Sequence, residues 1–244
     1  MKVVLFCGGL GLRIRDVADG VPKPLVPIGD RPILWHLMQY YAHHGHREFI
    51  LCLGHQAETL RAYFRDHPVP SEWRVLLADT GPDASIGERL STVRPHVHGE
   101  AMFLANYADG LTDLHLPDLI AEFTASGKVG AFLCIKPSLS YHFVRTRPDG
   151  TVVEIADSEA LELRINGGYF VFRREIFDYL GAGDDLLGEP LRRLAREGRL
   201  LGYRYDGFWM SMDTFKEKHA LDALYASGRA PWQVWRADGA AQGD

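Results

Sequence analysis

Val3-Val4-Leu5-Phe6-Cys7-Gly8-Gly9-Leu10-Gly11-Leu12-Arg13 follows Met1 and Lys2, and its reading decides the fold. The apolar run 3–7 has strand length and ends abruptly in glycines. A short continuous apolar run closed by a turn signal is a strand buried on both faces, the kind found in parallel sheets. Downstream, 33–44 carries apolar residues at helical spacing behind Pro32. A second strand is predicted over 48–53, a helix over 56–65 and a third strand over 74–78. A fourth strand, 101–105, runs into Asn106-Tyr107-Ala108-Asp109-Gly110; a helix over 116–125 and a strand over 130–135 follow. Strands alternating with helices predict a Rossmann-like α/β fold, three layers around a mostly parallel, mixed sheet. Ligands then belong at the carboxyl ends of the strands, in the loops after Cys7, Ala78 and Ala105.

The second half changes rhythm. Segments 143–147 and 151–155 flank Asp149-Gly150 and predict a tight hairpin. A strand over 164–172 is kinked at Asn166-Gly167-Gly168; helix 189–197, strand 200–205 and a closing helix 213–227 complete the chain. The expected organisation is one domain over 1–236 with an antiparallel extension, followed by a small, polar tail, 237–244, expected to be flexible.

Composition narrows the function. The chain has 244 residues, 46% of them hydrophobic and 24% charged, which suits a globular protein. Lys plus Arg total 27 against 32 for Asp plus Glu, a net charge of −5, so nucleic acid is not an expected partner. No apolar run nears the ~20 residues of a membrane helix, and no membrane partner is expected. The opening lacks the pattern of a signal peptide. Cys7, Cys52 and Cys134 sit singly in apolar runs, as reduced core thiols of a cytoplasmic protein do.

Three features are candidates for chemistry. The glycine turn lets backbone N–H groups approach a polyphosphate, with Arg13 and the Lys23 of Pro22-Lys23-Pro24 adding positive charge. Its spacing is neither the dinucleotide fingerprint nor the P-loop, and a plain strand-to-loop turn would read the same way. Asp109 ends the fourth strand facing that crevice, as a Mg²⁺ ligand or as a turn residue. Asp213 precedes the closing helix, as its N-cap or as a second carboxylate meeting Asp109. His36, His43, His44, His46, His96 and His98 have no spaced ligand partner and are expected to be non-catalytic.

With these motifs the chain resembles the sugar-phosphate nucleotidyltransferases, most closely their glucose-1-phosphate cytidylyltransferase branch. The resemblance runs nearly end to end. It is carried by Gly8-Gly9-Leu10-Gly11 with Arg13, Pro22-Lys23-Pro24, and the stretch from Gly29-Asp30-Arg31-Pro32 to His36. Asp79-Thr80-Gly81, Asp109-Gly110, Ile165-Asn166-Gly167-Gly168, Asp206-Gly207-Phe208-Trp209 and Met212-Asp213-Thr214 extend it. The resemblance implies a fold of the nucleotide-diphospho-sugar transferase type and transfer of CMP from CTP to a phosphorylated acceptor, a sugar 1-phosphate by default. It implies that Gly8, Gly9, Leu10, Gly11 and Arg13 hold the triphosphate and that Lys23 contacts the α-phosphate, Arg13 and Lys23 being the catalytic cations. Thr80, Gly81, Gly87 and Arg89 lie near the base; Asp109 and Asp213 ligate Mg²⁺ beside the nucleotide; Tyr107, Asn166 and Gly168 line the acceptor pocket. Because that branch assembles, a homo-oligomer is also implied.

Three departures from the family pattern bear on this. Leu12 replaces a hydroxyl residue, which removes one phosphate hydrogen bond worth ~1–2 kcal/mol. Ala108 stands where the family has glycine, a change of one methyl group that reads as mild. The family's Glu-Lys-Pro element, whose lysine binds the acceptor phosphate, is absent: 154–162 holds four acids and no lysine. Arg164 lies two residues before Asn166 in the predicted strand and is expected to share its face and replace the lysine; the alternative is a surface residue paired with Glu162 or Glu154. Arg145 and Lys136 are the next candidates. The same departure admits a non-sugar phosphate or phosphonate acceptor, or a homologue that binds nucleotide without turnover.

Overall fold

β1 (Lys2–Phe6) lies in the middle of an eight-stranded sheet. The computed structural model describes residues 1–9, 20–137, 142–157 and 163–236. On one side of β1 lie β2 (Glu48–Leu53) and β3 (Arg74–Asp79), both parallel to it. On the other lies β4 (Met102–Asn106), also parallel, then the antiparallel strand Phe170–Arg173 and β5 (Gly130–Ile135). One edge of β5 pairs with two short strands of a single kinked segment, β6 (Ile165–Asn166) and β7 (Phe170–Arg173). Its other edge takes β8 (Leu200–Tyr205) in parallel, Leu200 opposite Gly130 through Tyr205 opposite Ile135. All six parallel strands therefore end at one edge, and the Gly167-Gly168 kink delivers the antiparallel segment to that same edge.

Side chains alternate across β1 and divide the core. Val3 and Leu5 face a layer built by α1 (Ile33–His43) with Trp73 and Trp232. Val4 and Phe6 face the other layer, with Ile50, Leu90, Val93 and Phe172. α2 (Ala57–Asp66), α3 (Ile86–Thr92), α4 (Arg94–Val97), α5 (Leu116–Ser126), α6 (Glu189–Arg196) and α7 (Phe215–Ala226) complete the layers. α3 and α4 were invisible to periodicity because they are short and contain Gly87 and Pro95. Their sequence signal is the Ser85-x-x-Glu88 capping box, in which Ser85 Oγ accepts from Glu88 N–H and Glu88 accepts from Ser85 N–H.

The expected hairpin forms over His142–Thr146 and Val152–Asp157, with Ile155 opposite Val144. Its two strands form a two-stranded sheet of their own, separate from the main sheet. The expected tail, 237–244, lies outside the described residues. Cys7 and Cys52 are buried and Cys134 half-buried, none in a disulfide. Burial pushes the Cys52 thiol up to about 12, which keeps it protonated. His36 is a core residue: its Nε2 bonds the Ile28 carbonyl and Trp232 Nε1–H donates to its Nδ1. No helix among the described residues is long and apolar enough to cross a membrane.

Candidate active site

Lys23 begins a 3₁₀ turn, Lys23–Leu25, whose Pro24 and Leu25 are buried. That anchor aims the lysine across the strand ends. Its ammonium donates to Asp109 Oδ2 at 2.7 Å and to Asp213 Oδ1 at 2.6 Å. Sequence separations of 86 and 190 residues close onto one nitrogen. The Lys23 side chain is 13% exposed and the two carboxylates 25% and 31%. Burial alone would lower the lysine's pKa; the Asp109 charge and the hydrogen bonds it donates to both acids outweigh it and hold it above its ordinary value.

A small ribbon aligns the two acids. Strand Gly110–Thr112 pairs antiparallel with Trp209–Ser211, placing Ser211 opposite Gly110. Met212 N–H donates to the Asp109 carbonyl at 2.9 Å, so the loops that carry the acids are stitched together by backbone. The N-cap reading of Asp213 is corrected here: Thr214 caps α7, its side chain accepting from Glu217 N–H. Glu217 Oε2 in turn accepts the N–H groups of both Asp213 and Thr214 at 2.8 Å. The capping box thus performs the helix's need and leaves the Asp213 side chain to face Lys23. Thr214-x-x-Glu217 was the sequence signal for this.

Ala108 is not a mild replacement. It is fully buried with φ +62°, a left-handed conformation in which glycine carries no steric penalty and alanine does. The strained residue immediately precedes Asp109.

The glycine turn opens above a buried arginine. Arg89 is 3% exposed. Its Nη1 donates to the Leu53 and Gly81 carbonyls and to Thr80 Oγ1; its Nη2 donates to the Gly8 and Pro82 carbonyls. One guanidinium therefore ties together the ends of β1, β2 and β3. A Cβ on Gly8 would lie 2.2 Å from Arg89 Nη1, whereas one on Gly9 would meet nothing within 4 Å. Gly8 is glycine for the arginine beneath it; Gly9 is open to the crevice. Thr80 is buried and its hydroxyl bonds the Leu53 carbonyl at 2.6 Å. Gly81 has φ +88°. Gly87 packs against the 184–186 backbone, since a Cβ there would strike the Asp184 carbonyl at 2.2 Å. Leu10, Gly11 and Arg13 lie outside the described residues.

The other side of Asp109 is aromatic. Tyr107 packs edge-on to Phe170 at 5.2 Å and accepts from Asn166 Nδ2 at 3.3 Å. Burial pushes its phenol up, so it stays a neutral donor. Gly168 N–H donates to Asn166 Oδ1, and at φ +72° a Gly168 Cβ would press on the Tyr107 ring. Trp209 Nε1–H donates to the Gly167 carbonyl at 2.8 Å. Tyr107, Asn166 and Gly168 come together, and Trp209 joins them through Gly167.

Arg164 bonds Asp206 and two strand carbonyls. It precedes β6, and its Nη1 donates to the Cys134 and Tyr205 carbonyls. Its Nη2 meets Asp206 Oδ1 at 2.8 Å, an acid that also lies 3.9 Å from Lys136 Nζ. Glu154 pairs with Arg145 across the hairpin, and Glu162 lies outside the described residues. No cluster of three metal-type ligands occurs among the described residues. Two carboxylates closing on one cation do occur, and with substrate phosphates that is a donor set Mg²⁺ accepts.

The sequence profile of the family described as Nucleotidyl transferase matches residues 2–217. A protein of Bacillus subtilis named probable glucose-1-phosphate cytidylyltransferase is 33% identical over 96% of this chain and all of its own length. The glucose-1-phosphate cytidylyltransferase of Salmonella typhimurium is likewise 33% identical, over 96% of this chain and all of its own. Among solved structures, HddC from Yersinia pseudotuberculosis, complexed with GMP-PN, superposes with a TM-score of 0.69 at 19% identity, covering 92% of this chain and 99% of its own. A putative glucose-1-phosphate thymidylyltransferase from Bacillus anthracis gives 0.68 at 17%, over 92% and 94%. At such identities the two structures speak for the fold, that of the nucleotide-diphospho-sugar transferases.

Proposed function

The chain belongs to the nucleotidyl transferase family and is a nucleotidyltransferase; from that premise we propose that it transfers CMP from CTP to a phosphorylated acceptor, a sugar 1-phosphate, and releases pyrophosphate. The observation that carries the reading is the convergence of Lys23, Asp109 and Asp213, with Asp109 acting electrostatically on Cys7, ahead of the glycines, and on Tyr107. The choice of CTP and of a sugar phosphate rests on the two cytidylyltransferases that match end to end.

An acceptor phosphate is already an anion at neutral pH, so no general base has to generate the nucleophile. One acceptor oxygen bonds to the α-phosphorus as the bond to the bridging oxygen of pyrophosphate breaks. Catalysis then consists of alignment and charge neutralisation. The Gly8-Gly9 backbone faces the triphosphate, Lys23 and Arg13 neutralise it, and Arg89 fixes the loops around it, with Thr80, Gly81 and Gly87 shaping the base side. Asp109 and Asp213 would hold Mg²⁺, which would supply neutralisation of phosphate charge. Tyr107, Asn166 and Gly168 line the acceptor side. Arg164, sharing Asp206 with Lys136, supplies positive charge for the acceptor phosphate in place of the family's lysine.

The test is pyrophosphate release with CTP, ATP, GTP, UTP and dTTP in competition, each against a panel of sugar 1-phosphates and non-sugar phosphates, with and without EDTA. CTP with one sugar 1-phosphate is expected to dominate, and chelation to abolish the signal. A preference for a purine nucleotide would reject the base assignment, and turnover only with a non-sugar phosphate the acceptor assignment.

A further inference from the structure

We infer that Lys23 holds the cation position between Asp109 and Asp213 in the nucleotide-free enzyme, so that a divalent metal enters only together with the triphosphate. The inference rests on the reading of the two acids as metal ligands. Both carboxylates direct an oxygen at the same ammonium, at 2.7 and 2.6 Å, in a largely enclosed position. An ammonium and a divalent ion cannot share that gap, because they repel at contact distance where screening is weak. Free metal must therefore displace a cation that is tethered to the chain, held by a short turn of fixed proline geometry, and never diluted.

The triphosphate changes the balance. It offers the ammonium a second anion, since Asp109, which the lysine bonds, acts electrostatically on Cys7, the residue that leads into Gly8 and Gly9. When the nucleotide arrives with its metal, the lysine exchanges two carboxylates for phosphate oxygens, and the metal takes the carboxylates. Every charge keeps a partner throughout, which a partly buried site requires. Binding of metal and nucleotide is thus coupled, and the coupling is reciprocal: each tightens the other by the same factor.

The experiment measures Mn²⁺ binding to the whole protein without turnover, by electron paramagnetic resonance of the free ion. In wild type, Mn²⁺ alone is expected to bind weakly. Lys23→Met keeps the stem's length without the charge and is expected to bind Mn²⁺ alone at least about tenfold more tightly, with far less further gain when CTP is added. Adding Asp109→Asn to Lys23→Met should remove the gain, and Lys23→Arg should restore weak binding. Unchanged or weaker Mn²⁺ binding by a folded Lys23→Met overturns the inference. A second measurement needs no substitution: the ¹⁵N signal of the Lys23 ammonium in wild type should shift on adding CTP with Mg²⁺ and stay put with Mg²⁺ alone. A shift with Mg²⁺ alone overturns the inference as well. The readout is independent of which nucleotide is turned over, so a failed CTP assignment with a tenfold gain in Mn²⁺ affinity would reject the proposed substrate and leave this inference standing.

Discussion

The two sides of Asp109 are built on different principles. On the side proposed to take the nucleotide, β1, β2 and β3 end in loops that one buried guanidinium laces together through backbone carbonyls. Neither Gly8 nor Gly54 has room for a Cβ over that arginine. On the side proposed to take the acceptor, the comparable cation, Arg164, also caps two strand ends, but its charge is met by the exposed carboxylate of Asp206. Beyond it the hairpin, a two-stranded sheet of its own, carries Val144 and Ile155 into solvent. A backbone-laced loop cannot change one residue without moving three strand ends. A side-chain ion pair can exchange partners at little cost to the fold, because exposed pairs contribute only ~0–1 kcal/mol. The missing family lysine is one that the proposed function assigns to the acceptor side, where such an exchange costs the fold little.

The largest expected effect tests what both sides share. Asp109→Ala and Asp213→Ala should each lower turnover by about a thousandfold or more, comparable to losing a principal electrostatic group, while circular dichroism stays at wild type. Pyrophosphate release at saturating Mg²⁺ measures it, and full activity in either variant would remove that acid from the site.

Next comes the lacing itself. Arg89→Met leaves buried carbonyls without their donor and should cost roughly 3 kcal/mol or more. For a chain of this size that corresponds to a melting point lower by roughly 10 °C. Differential scanning calorimetry gives the stability, and the KM for CTP should rise while that for the acceptor changes little. An unchanged melting point would mean that the contrast between the two sides is wrong.

A smaller effect is expected across the crevice. Arg164→Ala should raise the acceptor KM about tenfold, the loss of one charged hydrogen-bonding partner worth ~1.5 kcal/mol, with KM for CTP unchanged. If both constants hold at wild-type values, Arg164 merely straps β5 to β8, and Lys136 or Arg145 should be replaced next.

The smallest concerns the hinge between the sides. Ala108→Gly relieves a left-handed alanine, worth ~1–2 kcal/mol, and forfeits about 0.8 kcal/mol of methyl burial. A net gain below ~1 kcal/mol is expected in urea unfolding. A clear loss would show that the methyl group's packing outweighs the strain.

The sequence alone determined the α/β alternation, the main strands and the three residues that meet at the centre. Strand 48–53, strand 130–135 and strand 200–205 fall where hydrophobic runs place them, because local burial patterns are written in local sequence. Lys23, Asp109 and Asp213 were visible as residue types at motif positions. Only the tertiary structure decided that they share one point, since the separations closed are 86 and 190 residues. It also decided that Thr214 and not Asp213 caps the last helix, that Arg164 answers to Asp206, and that Ala108 is strained. Each of these depends on a backbone angle or on a partner brought in by the fold. A residue's type states what it is able to bind; only chain closure decides which partner comes within 3 Å of it.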